Sequence, residues 1–452
     1  MSQSMRAPLL FAFVAVLFIL EGTTSAWIFS GSWNTALGIL NMALISAIMA
    51  LGVNLQWGYA GLFNVGIMGF VALGGLATVL VSLPPTPGAW TAGGGPRIVL
   101  SLLMGAATIV AAVLVQSRLP KGRARALSTL IILVGGFFLY RWAFDGGVAV
   151  VEAINPANAG NIGGLNPGGV DGFRDWGIIT LLAWPLGGVL AAGAAWVIGK
   201  TALGLRSDYL AIATLGIAEI IISVLKNEDW LARGVKNVIG LPRPVPYEID
   251  LQNSASFVER AASFGLDATT GSTIYVKLAY MVLFTIVLLA ILWLAERALK
   301  SPWGRMMRAI RDNETAAEAM GKDVTARHLQ IFILGSAICG IAGAMMTTLD
   351  SQLTPGAYQP LRFTFLIWVM VIIGGSGNNL GSILGAFLIW WLWVQVEPMG
   401  LWLSQVLTSG LAEDNWFRVA MADSAAHMRL FTMGIALLLV LRFSPKGLIP
   451  EK

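Results

Sequence analysis

From Leu278 to Leu294 the sequence runs without a single charged side chain, and that stretch removes most folds from consideration. In lipid a segment of this kind must satisfy its own backbone N–H and C=O groups, which a helix does internally. Transmembrane β-barrel strands alternate apolar and polar residues, and this run does not. Composition fixes the environment. Across 452 residues, 56% are hydrophobic and 12% charged, with a mean hydropathy of +0.75. That is about half the charge of an ordinary soluble domain, too little to solvate a globular surface. The expectation is an all-α, polytopic transmembrane helical bundle forming a single domain over 1–452.

Spanning the hydrocarbon core takes roughly 20 apolar residues. Apolar runs between charged or turn-rich breaks predict spans near 7–22, 33–55, 66–83, 97–117, 126–154, 176–199, 208–226, 273–298, 328–349, 362–377, 378–397 and 428–443, about 10 to 12 in all. Arg141 and Asp145 interrupt the fifth run and are expected to mark its outer end. Lys and Arg concentrate in cytoplasmic loops, so the amino terminus is placed inside. Arg118, Lys121, Arg123 and Arg125 then share one inner loop, Lys200 and Arg206 another, and Arg442, Lys446 and Lys452 an inner tail. The segments 155–175, 227–272 and 398–427 fall outside. No small-residue cleavage site follows Arg6 and the run Ala7 to Leu20, so a retained first helix is expected rather than a signal peptide.

Few residues carry chemistry. Cys339 is the one cysteine and has no partner thiol. His328 and His427 lie far apart, without the i,i+4 spacing of a helical metal site. Gly199-Lys200-Thr201 resembles the end of a phosphate loop, yet Ala194 stands where that motif needs glycine. Hydrolase signatures are missing. Neither a cofactor nor an enzymatic activity is expected. The net charge of +5 sits in short interhelical loops, so it argues for membrane topology and against nucleic-acid binding.

Polar side chains inside spans are expensive unless they face a cavity or one another. Asn54, Asn64, Thr214 and Glu219 are such residues, while Asp208 is expected to cap its helix. The glycine-rich breaks at 58–61 and 374–381 are expected at gates or close helix crossings. The longest basic loop, 299–327, contains a short soluble helix: Asp312 and Asn313 can cap it, Glu314 to Met320 are helix formers, and Gly321 supplies a left-handed stop.

That loop, Ser301-Pro-Trp-Gly-Arg-Met-Met-Arg308-Ala-Ile-Arg-Asp-Asn-Glu314-Thr-Ala-Ala-Glu318-Ala-Met-Gly321, resembles the coupling loop of ABC-transporter permeases, specifically the LivM-type branched-chain amino-acid permeases. Further blocks agree in order. Asn54-Leu-Gln-Trp-Gly58-Tyr59-Ala-Gly61 is similar to the family's N-L-x-x-G-Y-x-G segment. Ser207-Asp208-Tyr209-Leu210-Ala211-Ile-Ala-Thr214-Leu, Ser336-Ala-Ile-Cys-Gly340, Ile373-Gly-Gly375-Ser-Gly377 and Phe443-Ser-Pro445-Lys-Gly447-Leu also match, whereas 97–175 and 398–427 do not. Where the family commonly has Ser-x-Gly-His, this chain reads Asn64-Val-Gly66-Ile67.

The resemblance implies an ABC-importer permease fold in a bacterial inner (plasma) membrane, with both termini cytoplasmic. It implies a second permease subunit, two cytoplasmic ATP-binding subunits and an extracytoplasmic solute-binding protein, besides membrane lipid. Arg308, Asp312, Glu314, Ala317, Glu318 and Gly321 would couple the ATPases to the spans. Asn54, Tyr59, Asn64, Thr214 and Glu219 are the candidate substrate pathway. Branched-chain or other apolar amino acids are the expected cargo, and urea or a short amide is the alternative. A secondary transporter would need ionisable relays within the spans, and Glu219 stands almost alone there.

Overall fold

Each predicted apolar run is a helix in the computed structural model, which describes residues 3–25, 28–120, 122–154, 162–166, 178–410, 412, 415–424 and 427–451. The first half contains α1 (Gln3–Thr23), α2 (Trp33–Ala60), α3 (Ile67–Ser82), α4 (Gly94–Arg118), α5 (Arg123–Ile154), α6 (Ile178–Ala202) and α7 (Ser207–Asn227). The second contains α8 (Ala268–Lys300), α9 (Pro302–Asp312), α10 (Glu314–Ala319), α11 (Val324–Asp350), α12 (Pro360–Gly374), α13 (Asn379–Leu407) and α14 (Met428–Phe443). Apart from 162–166, the expected outer segment 155–175 lies outside the described residues.

Nine of these helices are long and apolar enough to cross a membrane by length and composition, among the described residues. Three of the expected spans are shorter: α3, α12 and α14 have 16, 15 and 16 residues. The stretch before α3, 61–66, is non-helical, and the stretch before α12, 351–359, holds only a two-residue strand and one 3-10 turn at Pro355–Ala357. Such backbone is tolerated at membrane depth where protein covers it. Leu62, Asn64, Leu353 and Tyr358 in these stretches are indeed buried.

Two expectations need correction. Arg141 and Asp145 do not interrupt the fifth helix. They lie one turn apart, form a 3.0 Å ion pair, and the helix continues to Ile154, because an i,i+4 pair is compatible with an uninterrupted helix surface. Asp208 does not cap α7. Arg206 occupies that position, and Asp208 sits in the first turn, where a carboxylate favours the positive end of the helix dipole.

The core is built around α2, whose residues are buried nearly all round, with α8, α11 and α13 packed against it. Helix α11 also lies against α3 and α6. Small residues set these approaches. A Cβ added to Gly335 of α11 would stand 2.6 Å from the Gly52 carbonyl oxygen of α2, and one on Gly52 would stand 2.7 Å from that of Gly335. A Cβ on Gly74 of α3 would run into the Gly340 carbonyl of α11, and one on Gly343 into that of Val71 of α3. Helices α4 and α5 differ. They pair with each other, expose Leu100, Leu103, Ile131 and Phe138, and meet the rest of the chain through the cluster Ala89, Ile98, Phe144, Val151 and Trp230.

A two-stranded antiparallel ribbon, β1 (Val238–Ile239) with β2 (Gln352–Leu353), pairs Val238 with Leu353. It fastens the segment after α7 to the one after α11.

Candidate functional site

At one end of the bundle, four sequence blocks that are far apart in the chain meet. The loop between α8 and α11 is two helices rather than the single short helix expected. Ser301 and Pro302 open the amphipathic α9, which buries Met307 and Ile310. The Asn313 side chain then breaks the run and caps α10 by accepting from Ala316 N at 3.0 Å. Asp312 is turned instead toward Arg311, 3.2 Å away. Gly321, at φ +74°, closes α10: its N–H donates to the Glu318 carbonyl and that of Lys322 to the Ala317 carbonyl. Ala317 is buried against Ile310 and Val324, while Glu314, Glu318 and Met320 are exposed.

Arg311 joins this loop to the bundle. Its guanidinium donates to the Gly58 carbonyl at the end of α2 and to both Glu451 oxygens at 3.0 and 3.1 Å. The tail carrying Glu451 lies along the turn between α12 and α13: Leu448 N and Ile449 N donate to the carbonyls of Ile373 and Gly374, each at 2.9 Å, and Asn378 Nδ2 donates to Pro450 O at 3.1 Å. Gly375 and Gly377, at φ +121° and +79°, adopt backbone conformations that side chains disfavour. A concavity of about 580 Å³ opens here, lined by Arg308, Arg311, Asp312, Ser376, Lys446 and Glu451 among others. Arg308 also reaches back to the Leu299 carbonyl at 3.4 Å.

Behind this face the candidate pathway residues of α2 are joined within the chain. Asn54, fully buried, donates to Asn379 Oδ1 at 2.9 Å and accepts from Gly377 N at 2.9 Å. Asn379 donates onward to Glu296. Tyr59 is buried near the end of α2. Asn64 donates to Gln56 Oε1 at 3.0 Å and accepts from Gly66 N at 2.9 Å. Gln56 in turn donates to Phe332 O and Ser336 Oγ of α11. Thr214 Oγ1 accepts from Val65 N at 3.1 Å. The backbone of 61–66 is thus tied to α2, α7 and α11, and Trp368 donates to the Asn64 carbonyl.

Glu219 stands apart from these. It is exposed on α7 and lines a groove of about 500 Å³ with Lys226, Gln359, Leu361, Arg362, Phe365 and Leu430 among others. The sequence reading missed Arg362, Arg311 and Glu21. Glu21 is wholly buried in α1, accepting from Ser30 N at 3.1 Å and from Gln395 Nε2 at 2.6 Å. The only signal for Glu21 and Arg362 was a lone charge near the end of an apolar run. A smaller cavity of about 140 Å³ lies in the core between Met42, Met49, Met68, Met346 and Met370, with Asp350 at its edge.

A polytopic helical bundle carrying a capped two-helix loop at one end fits a membrane permease. The chain belongs to the family described as the permease component of branched-chain amino acid transport systems, whose model matches residues 35–159 and 149–441. It is 26% identical over 405 residues to a probable branched-chain amino acid transport permease protein LivM of Methanocaldococcus jannaschii, covering 90% of both chains. To the high-affinity branched-chain amino acid transport system permease protein LivM of Escherichia coli it is 28% identical over 208 residues, 45% of this chain. The match spans about half (48%) of that relative's length. The fructose import permease protein FrcC of Rhizobium meliloti is 24% identical over 180 residues, covering 37% of this chain and 48% of that one. No solved structure gives a significant match.

Proposed function

We propose that this chain is the inner-membrane permease subunit of an ABC importer that brings branched-chain or other apolar amino acids into the cell. It works with a second permease subunit, two cytoplasmic ATP-binding subunits and an extracytoplasmic solute-binding protein, and both its termini are cytoplasmic. The observation that carries this reading is the α9–α10 loop. It is a capped, solvent-facing pair of helices bolted by Arg311 to the end of α2 and to the tail. A six-residue helix is marginal on its own, so the exposed Glu314 and Glu318 side need a surface to rest on. The ATPase supplies that surface.

Closure of the ATPases would press on α10 and shift the bundle between two states through contacts that differ between them. Asp312 and Arg308 border the concavity beside the loop, Ala317 seats α10 on α9, and Gly321 sets the angle at which the chain returns to α11. Asn54, Asn64, Thr214 and Tyr59 would hold the bent backbone beside the pathway in shape, and Glu219 would face the cargo. Co-purifying the complex and testing which solutes its binding protein retains checks the reading. Retention of leucine, isoleucine or valine is expected, whereas selective retention of urea or a sugar would reassign the cargo.

A further inference from the structure

Helix α7 rises about 1.5 Å per residue, which places Glu219 roughly 18 Å along the axis from Ser207, in the middle reach of an apolar span. Its carboxylate is exposed and has no hydrogen-bond or ion-pair partner among the described residues. A charge at such depth cannot face acyl chains without a large cost, so this face of α7 borders water or protein.

In the same groove, Arg362 near the start of α12 is also without a carboxylate partner among the described residues. Its guanidinium lies 5.2 Å from the ring centre of Trp393 and 5.7 Å from that of Phe363, and its Nε is buried with no partner. Arg429, the neighbouring cation over Trp393, is taken up by Glu397. Between the two free charges the groove is lined by Leu361, Phe365 and Leu430. Its volume of about 500 Å³ falls within the range of small-molecule sites.

We infer that the groove between α7, α12 and α14 is a subsite for the zwitterion of an apolar amino acid: Glu219 receives the ammonium group, Arg362 the carboxylate, and Phe365 with Leu361 the side chain. The inference rests on the amino-acid importer reading. One anion on α7 and one planar fork of donors on α12, lining the same groove, match the two ends of an α-amino acid, and unpaired polar groups in such a site penalise a ligand that lacks either end. Stacking on Trp393 holds the guanidinium in place while leaving its N–H groups free. Lys226, one residue from the end of α7, adds positive charge on the approach.

The test uses the assembled importer with its binding protein in proteoliposomes and labelled leucine. Glu219→Gln and Arg362→Gln should each lower leucine uptake roughly tenfold or more with ATPase co-purification unchanged. Arg362→Lys should fall between, because a point charge replaces the fork. Glu219→Cys and Arg362→Cys add a readout that a packing role would not move. The one native thiol, Cys339, is buried, so labelling by a water-soluble sulfonate thiol reagent reports the introduced cysteine. Both positions should label, and leucine should slow the reaction while isoamylamine, which lacks the carboxylate, should not. Wild-type uptake of leucine with both Gln variants at full rate, or with neither cysteine labelled, overturns the subsite alone. Failure of the wild type to move leucine refutes the cargo reading and the subsite with it.

Discussion

Replacing Asn54 with leucine tests whether the buried polar side chains of α2 are structural. Asn54 makes two hydrogen bonds to the α12–α13 turn, to Asn379 Oδ1 and from Gly377 N, both 2.9 Å long. Leucine has nearly the same shape but makes neither. Interhelical hydrogen bonds in membranes average about 0.6 kcal/mol and reach about 1.7, so losing two costs about 1–3 kcal/mol. The Gly377 N–H is also left without its partner in a buried site, which adds about 1–3 kcal/mol. The sum is about 2–6 kcal/mol. Thermal unfolding of the purified chain in detergent, read by tryptophan fluorescence, should show this as a marked fall in Tm. Leucine uptake per correctly assembled complex should remain close to wild type. A variant that melts within about 0.5 kcal/mol of wild type, against the hydrogen-bond values used here, refutes the reasoning; so does one that assembles fully yet cannot transport.

Other perturbations probe separate parts of the bundle. Glu314→Lys and Gly321→Pro should uncouple ATP hydrolysis from uptake while leaving the protein inserted, since Gly321 holds φ +74° and proline is locked near −65°; normal uptake with both would count against the coupling role. Gly343→Leu should abolish accumulation of folded protein because its side chain meets the Val71 carbonyl, whereas Gly193→Leu, with open space around it, should be tolerated; comparable yields in membranes would contradict this. Reporters fused after Lys452 and within 299–327 should read cytoplasm, and those within 227–272 the outer side; an outer signal from the tail would require an odd number of crossings. Asp267 caps α8, and its hydrogen bonds to Thr270 hold its carboxyl below the usual range. That stabilisation is present above the unfolded pKa and lost as pH falls through the lowered folded one, so the destabilisation by Asp267→Ala should stay constant from about pH 8 to about pH 5 and shrink in stronger acid.

Much of this architecture is legible because lipid makes the rules local. Apolar runs show where helices lie, and the chemistry of Asn313 and Gly321 shows where α10 begins and stops, since both act on backbone within a few residues. What escaped the sequence depends on distant partners. Arg311 is one basic residue among several in its loop until Gly58 and Glu451, 253 and 140 positions away, are brought to it. Asn54, Asn64 and Thr214 stand out as polar residues in apolar segments. Whether such groups face water or each other is decided by how α2, α7, α11 and α13 pack. Helix α9 was hidden because Arg305, Arg308 and Arg311 among its eleven residues read as a basic loop, and its apolar face is buried only once Met307 and Ile310 meet their packing partners. Arg362 was passed over because a cation near a helix end is normally read as topology, and its groove exists only once α7 and α14 lie beside α12.

The glycine seams between α3, α11 and α2 restrict how such a bundle can move. With the carbonyls of Val71, Gly340 and Gly52 standing where a Cβ would be, these helices mesh like gear teeth at single positions. Advancing α11 by one turn would bring Thr347 to the place of Gly343 and Ala344 to that of Gly340, driving side chains into main chain. Sliding and one-turn ratchets are therefore closed to this slab, and any alternation of access must swing it as a block about its edges, with α1, α7 and the peripheral α4–α5 hairpin left to give way.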